Sequence, residues 1–261
     1  MKTRPDDEFS KDLIKGLDTK IIGNKIIHFD TIDSTNIYAK KLIKSGIHEG
    51  VIILSDIQTS GRGRKNRIWS SPKGGLWFSI VLYPNISPNK AMLLTMASSI
   101  AVFQGIKKIT GIEAEIKWPN DLLINGRKIC GILTEIDSEK QKINYCIIGI
   151  GINVNNELEK ELQINATNLK KELNKEISIH ELFRAIIENF DENYNKLLSG
   201  DYDFIRGPWL KHSNIIGRKI QVIDDKNITT GKVIQVDSDG YIILNTINGN
   251  IKIISGDIKY L

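Results

Sequence analysis

The chain has 261 residues, 41% of them hydrophobic and 26% charged, enough to bury a full core beside a small second unit, and not the make-up of a fibrous or disordered chain. Its net charge of +5 is modest and implies no nucleic-acid partner by itself, and its two cysteines exclude a disulfide framework or a cysteine-based zinc site. The four histidines are scattered without metal-ligand spacing, and the favoured reading is surface or half-buried imidazole.

No apolar run approaches the roughly 18 residues of a membrane span. The opening Met1-Lys2-Thr3-Arg4 lacks the apolar core of a secretory signal, so a cytoplasmic protein without membrane partners is expected. Residues 1–24 carry balanced charges and one short helix over residues 8–17, broken at Gly23-Asn24. They leave no room for a winged DNA-binding unit of the kind that reads a major groove. From Lys25 strands and helices alternate. A strand over residues 26–29 precedes a helix over residues 35–44, with Ser34 as its cap and Gly46 as its stop. Residues 51–57 and 76–82 are β-rich, and Ser87-Pro88 opens a long helix over residues 90–108.

Asn125-Gly126 tolerates positive φ at both turn positions and predicts a hairpin between residues 122–124 and 129–136. Lys128 then sits between antiparallel strands, and simple alternation puts Lys128 and Cys130 on one face. Ser178-Ile179-His180-Glu181 is a capping box for an amphipathic helix ending near Leu198, and a further helix covers residues 202–211. After Ser213 the chain turns to short strands with turn clusters at residues 224–227, 237–240 and 248–250, the spacing of a small β-barrel. The fold class is α+β, divided as residues 1–24, 25–212 and 213–261.

Arg62, Arg64, Lys65 and Arg67 crowd residues 61–67, interleaved with Gly61 and Gly63. Alternate glycines let backbone amides approach a ligand, and guanidinium forks suit carboxylate or phosphate, so the loop implies an anionic ligand. Charge alone reads as a solvated loop or a nucleic-acid contact. The residues downstream reverse those odds. Trp69 offers an indole to stack on a purine. Lys117-Trp118-Pro119-Asn120-Asp121 places an Asn-Asp pair at a strand start, and Gly131 leaves room for close approach near Lys128. Gly149-Ile150-Gly151-Ile152-Asn153 closes an apolar strand with an amide. Val154 stands where a dinucleotide fingerprint needs its third glycine, and no GxxxxGK[ST] segment occurs, so standard nucleotide folds are not indicated.

Taken in order, the Asp33-Ser34-Thr35-Asn36 turn, Gln58 with the Gly-Arg loop, residues 117–121, residues 127–135 and residues 149–155 resemble the biotin protein ligases, strongly so over residues 25–155. The resemblance implies a class II synthetase-like catalytic domain with a mixed, largely antiparallel sheet and helices, followed by an SH3-like barrel. It implies an enzyme that joins biotin to ATP and passes the biotinyl group from the adenylate to a lysine of a biotin carboxyl carrier domain. Mg2+ would arrive with ATP rather than in a dedicated protein cage, the protein would be a homodimer, and no repressor function is expected. By the matching motifs Ser34, Thr35 and Gln58 would bond the biotin head group and Asn36 would cap and orient their turn. Gly61, Arg62, Gly63 and Arg64 would close over carboxylate and phosphate. Lys128, beside Gly131, would stabilise the charge where the two join. Arg67, Trp69, Asn120 and Asn153 would hold the nucleotide side. Asp121 would position phosphate-bound Mg2+ or the incoming lysine, which makes Lys128, Arg64 and Asp121 the catalytic set.

A lipoate or octanoate ligase of the same fold is the rival enzyme, but that family carries an Arg-Arg-x-Ser-Gly-Gly-Gly segment where this chain has Gly61-Arg62-Gly63-Arg64. A non-enzymatic nucleic-acid binder would need a broader cationic face than a tail with Asp224, Asp225, Asp237, Asp239 and Asp257 provides.

Overall fold

The computed structural model describes residues 3–4, 13–224 and 227–261. The helix expected over residues 8–17 lies outside the described residues as far as residue 12, and residues 13–15 are helical. Asp225 and Lys226, in the middle of one predicted turn cluster, also fall outside them.

Eight described strands form the large sheet. They are β1 (Thr3–Arg4), β2 (Ile26–Ile32), β3 (Ile52–Gln58), β4 (Leu76–Leu82), β5 (Glu115–Lys117), β6 (Asp121–Ile124), β7 (Arg127–Glu139) and β8 (Lys142–Ile152), in the order β1-β2-β3-β4-β8-β7-β6-β5. Only the β2–β3 pair is parallel, as a sheet built mostly from hairpins requires. Helix α1 (Thr35–Lys44) makes the β2–β3 crossover and packs over β3, β4 and β8. The long helices α2 (Ala91–Thr110) and α4 (Ile179–Leu198) pack together on the other face.

Neighbouring residues of the strands feed these two layers in turn. Ile27, Ile53, Val81 and Ile147 join the cluster under α1, whereas Ile26, Ile52, Ile80 and Ile148 join the main core. A strand covered on both sides reads as an unbroken apolar run, which is why residues 76–82 show no alternation. Short helix α3 (Leu169–Leu173) follows the large sheet, and α5 (Tyr202–Ser213) packs on α2 and α4. Ser178 caps α4 by accepting from the Glu181 N–H, as its capping motif predicts.

The rest of the chain is a five-stranded antiparallel sheet of β9 (Lys219–Asp224), β10 (Asn227–Val236), β11 (Ile242–Thr246), β12 (Gly249–Ile253) and β13 (Asp257–Tyr260), ordered β12-β11-β10-β9-β13. Lys90, just ahead of α2, pairs with Asp239 of this sheet at 2.8 Å. Among the described residues, no helix is long and apolar enough to cross a membrane. Cys130 and Cys146 are buried thiols, and burial pushes both well above the usual thiol range. His28 departs from the surface reading: it is 4% exposed and sits 2.8 Å from Asp56.

Candidate active site

Three glycines shape the floor of the site. Gly131 on β7 and Gly151 on β8 are direct cross-strand partners, and Gly149 faces Ser79 of β4 across the next pairing. A Cβ on Gly151 would overlap the Trp69 indole and one on Gly131 would press the same ring, so the flat patch exists to seat that side chain. A Cβ on Gly149 would overlap the Asn36 amide instead. Above the floor lies a cavity of about 440 Å3, within the size range of small-molecule sites.

Of the predicted residues, Ser34, Thr35, Asn36, Gln58, Arg62, Gly63, Arg64, Arg67, Trp69, Asn120, Asp121, Lys128, Gly131 and Asn153 all line this cavity. Gly61 does not. It is buried behind the wall, where a Cβ would overlap the Trp69 carbonyl and crowd the Ser71 hydroxyl.

One wall is polar and cross-bonded. Gln58 Oε1 accepts from the Thr35 N–H at 2.9 Å and from the Thr35 hydroxyl at 3.1 Å, and Gln58 Nε2 donates to Ser71 Oγ at 2.9 Å. Ser79 Oγ lies 2.7 Å from Thr35 Oγ1 and 2.6 Å from Asn36 Oδ1. Such a network holds its polar atoms in fixed directions, because a buried group that loses its partner costs about 1–3 kcal/mol. Two expectations change here. Ser34 occupies the N-cap position of α1, yet its side chain makes no capping bond and lines the cavity instead. Asn36 does not cap the turn either. It bonds across to Ser79 and to Glu135, because it lies inside the first turn with its amide against Gly149.

The opposite side is a tongue. Residues 61–69 fold back on themselves through the Gly63 N–H to Arg67 carbonyl bond at 2.7 Å and the Trp69 N–H to Gly61 carbonyl bond at 2.9 Å. Lys65 and Asn66 turn the tip with φ of 53° and 57°. The cations face carboxylates of the protein itself. Arg62 lies 3.8 Å from Glu135, Lys65 3.4 Å from Asp224, and Arg67 donates to Asp257 at 2.9 Å. Arg64 donates to Asn120 Oδ1 at 3.1 Å and to the Gly256 carbonyl at 3.2 Å; burial pulls its guanidinium below the ordinary value, while Asp257 and Asp121 oppose the shift. The second sheet therefore reaches the site through Gly256 and Asp257.

Lys128 stands in the middle. Its Nζ is 2.7 Å from Asp121 Oδ1 and 5.0 Å from the centroid of the Trp69 ring. Asn125 and Gly126 both take positive φ, closing the predicted hairpin. A bulge between β6 and β7 then breaks the expected alternation. Leu122 pairs with Cys130 and Leu123 with Lys128, which leaves Ile129 as the extra residue. Lys128 consequently shares the cavity face with Gly131, while Ile129 and Cys130 both enter the core, so Lys128 and Cys130 do not share a face. Residues 165–167 grip the lysine backbone through the Lys128 N–H to Asn165 bond at 2.8 Å and the Thr167 N–H to Lys128 bond at 2.9 Å. Glu172, beside them, accepts from Arg127 at 2.6 Å.

Asn120 also donates to the Ile132 carbonyl at 2.7 Å, and Asn153 Oδ1 accepts from Asn156 at 3.2 Å. The Trp69 Nε1 donor is buried with no protein acceptor. Sequence reasoning missed Ser71, Ser79, Glu135, Glu172 and Asp257. Only Glu135 had a visible signal, as the carboxylate ending an otherwise apolar β-run.

An apolar cleft with one bonded polar wall, a central lysine and an arginine tongue defines an enzyme site for a ligand with an uncharged head and an anionic end. A profile of the Biotin/lipoate A/B protein ligase family matches residues 28–153. The bifunctional ligase/repressor BirA of Bacillus subtilis is 37% identical over 248 residues, covering 94% of this chain and 76% of that protein. The biotin--[acetyl-CoA-carboxylase] ligase of Paracoccus denitrificans is 36% identical over 47% of this chain and 51% of its own length. A solved structure of the Aquifex aeolicus biotin protein ligase in complex with biotin and ATP superposes with a TM-score of 0.78 at 27% identity, covering 91% of this chain and 99% of that one. The chain belongs to the biotin/lipoate A/B protein ligase family.

Proposed function

We propose that this protein is an ATP-dependent biotin ligase acting on a biotin carboxyl carrier domain. The observation that carries the reading is the single cavity in which Lys128 stands between the Thr35–Gln58 wall and the Trp69, Asn120 and Asn153 side. In the first half-reaction a biotin carboxylate oxygen attacks the α-phosphorus of ATP and pyrophosphate leaves. In the second the ε-amine of a carrier lysine attacks the acyl carbon, loses a proton, and AMP leaves. The urea ring suits the hydroxyl and amide groups of Ser34, Thr35 and Gln58. The Lys128 ammonium meets the negative charge where carboxylate and phosphate approach, preorganised by Asp121.

Arg62 and Arg64 close over the mixed anhydride and keep water from it. The Trp69 ring and its free donor, with Asn120 and Asn153, take the adenosine side. Among the described residues no three His, Cys, Asp or Glu side chains cluster as a metal cage. Mg2+ fits as the counter-ion of the triphosphate; of the cavity carboxylates Asp121, Glu161 and Asp257, Asp121 is the one paired with Lys128, where the phosphate would lie. We further assign residues 25–212 as the catalytic domain and 213–261 as a separate small domain, and place the protein in the cytoplasm as a homodimer. The deciding experiment incubates the purified protein with ATP and either biotin or lipoate and follows pyrophosphate release. Release with biotin alone is expected; release driven by lipoate, or by neither acid, refutes the reading.

A further inference from the structure

Glu135 takes no part in either half-reaction, yet it touches both halves of the site. It follows Gly131 and Leu133, two cavity-lining residues, at the same two-residue spacing along β7. Its Oε2 accepts from Asn36 Nδ2 at 2.7 Å, and its Oε1 faces Arg62 Nη1 at 3.8 Å. Asn36 is 4% exposed, its Oδ1 is 2.6 Å from Ser79 Oγ, and its amide fills the space a Cβ on Gly149 would need. A flip of that amide would turn its oxygen toward the carboxylate and its NH2 toward the Ser79 hydroxyl, so the carboxylate selects one orientation. Ser79 Oγ also lies 2.7 Å from Thr35 Oγ1, and from Thr35 the bonds run on through Gln58 to Ser71 and the Trp69 carbonyl, at the base of the tongue. Arg62 begins the same tongue at its other end.

We infer that Glu135 is a positioning residue: it fixes the Asn36 amide in the biotin wall and, before ligand arrives, parks Arg62, which then exchanges this carboxylate for the anion of the ligand. The inference rests on the ligase reading for its substrate. Two variants separate the two tasks. Glu135→Ala removes both contacts, whereas Glu135→Gln keeps an acceptor for Asn36 and removes the charge opposite Arg62.

Glu135→Ala should raise the biotin KM about tenfold, the loss of one charge-assisted bond, with kcat and the ATP KM within about twofold of wild type. Glu135→Gln should restore the biotin KM to within about threefold. Both variants should be cut faster than wild type by trypsin at Arg62, Arg64, Lys65 and Arg67 without ligand; Glu135→Gln should do so at unchanged melting temperature, whereas Glu135→Ala, which leaves the buried Asn36 amide without its acceptor, should melt a few degrees lower. A biotin KM equally poor in both variants overturns the Asn36 role, and equal trypsin rates in all three proteins overturn the parking role. If wild type releases no pyrophosphate with biotin, the ligase reading fails, and the trypsin comparison still judges the Arg62 contact by itself.

Discussion

Replacing Lys128 with alanine tests the centre of the proposed chemistry. The Lys128 and Asp121 side chains are 31% and 24% exposed, so their 2.7 Å pair adds little to folding, about 1 kcal/mol or less, and the variant should fold. Its kinetic cost is larger. A preorganised charge at the point where carboxylate and phosphate meet is worth about 3–4 kcal/mol, or roughly 10²- to 10³-fold in the rate of adenylate formation. The truncation also leaves Asp121 without its cation in the same cavity, so the incoming biotin carboxylate meets a like charge and binds more weakly. Removing that second charge in Lys128→Ala/Asp121→Asn should recover biotin affinity while the rate stays low. Single-turnover pyrophosphate release reports the first effect and calorimetric titration of biotin the second. A Lys128→Ala rate within about threefold of wild type, against the roughly 10²-fold minimum expected, refutes the assignment. No recovery of affinity in the double variant refutes the electrostatic account of Asp121.

Arg64→Gly removes the bonds to Asn120 and Gly256 that seat the tongue, so the adenylate should escape and acylate bystander lysines, seen by mass spectrometry of a mixed protein pool. Carrier selectivity equal to wild type would count against a closing tongue. Gly151→Ala pushes a methyl group into the Trp69 indole; the ATP KM should rise about tenfold, the upper worth of an aromatic contact, while biotin affinity stays near wild type. An unmoved ATP KM would separate Trp69 from the nucleotide. The hydrogen bond from Lys90 holds the Asp239 carboxyl below its usual range, so its stabilisation is complete above about pH 4 and fades as pH falls through the lower folded value. Asp239→Asn should therefore lower stability at neutral pH and flatten the acid limb in urea titrations run across pH; an acid limb as steep as wild type's would refute the linkage.

The order of elements was legible because each announces itself locally. Asn125-Gly126 dictates its turn, the Ser178 box its helix, and the doubly covered strands their apolar runs. Site residues carried by motifs were legible for the same reason. What stayed hidden depends on contacts between distant segments. The bulge at Ile129 is a pairing event between β6 and β7, so alternation within one strand misplaced Cys130. Ser79 looks like any strand serine until Asn36 arrives from α1, and Asp257 looks like a solvated tail charge until Arg67 reaches it. Gly149 and Gly151 were visible as a pair, but the side chains needing their space come from residues 36 and 69.

The same contacts explain why a cluster of four cations need not signal nucleic acid. Each already faces a carboxylate: Arg62 meets Glu135, Lys65 meets Asp224, and Arg64 and Arg67 share Asp257. An extended polyanion would have to displace these partners one by one and gain only solvent-screened pairs in return. A small anion entering the cavity meets different terms. Partly exposed ion pairs are worth about 0–1 kcal/mol each, whereas charge-assisted bonds to a phosphate shielded from water contribute about 1.5–3 kcal/mol. The exchange therefore favours the shielded ligand over the partly exposed pairs with Glu135, Asp224 and Asp257, the last of which stands on the cavity wall itself. A tongue balanced in this way holds its shape before the reaction and, on the proposed ligase function, would move its arginines onto the adenylate as that anion forms.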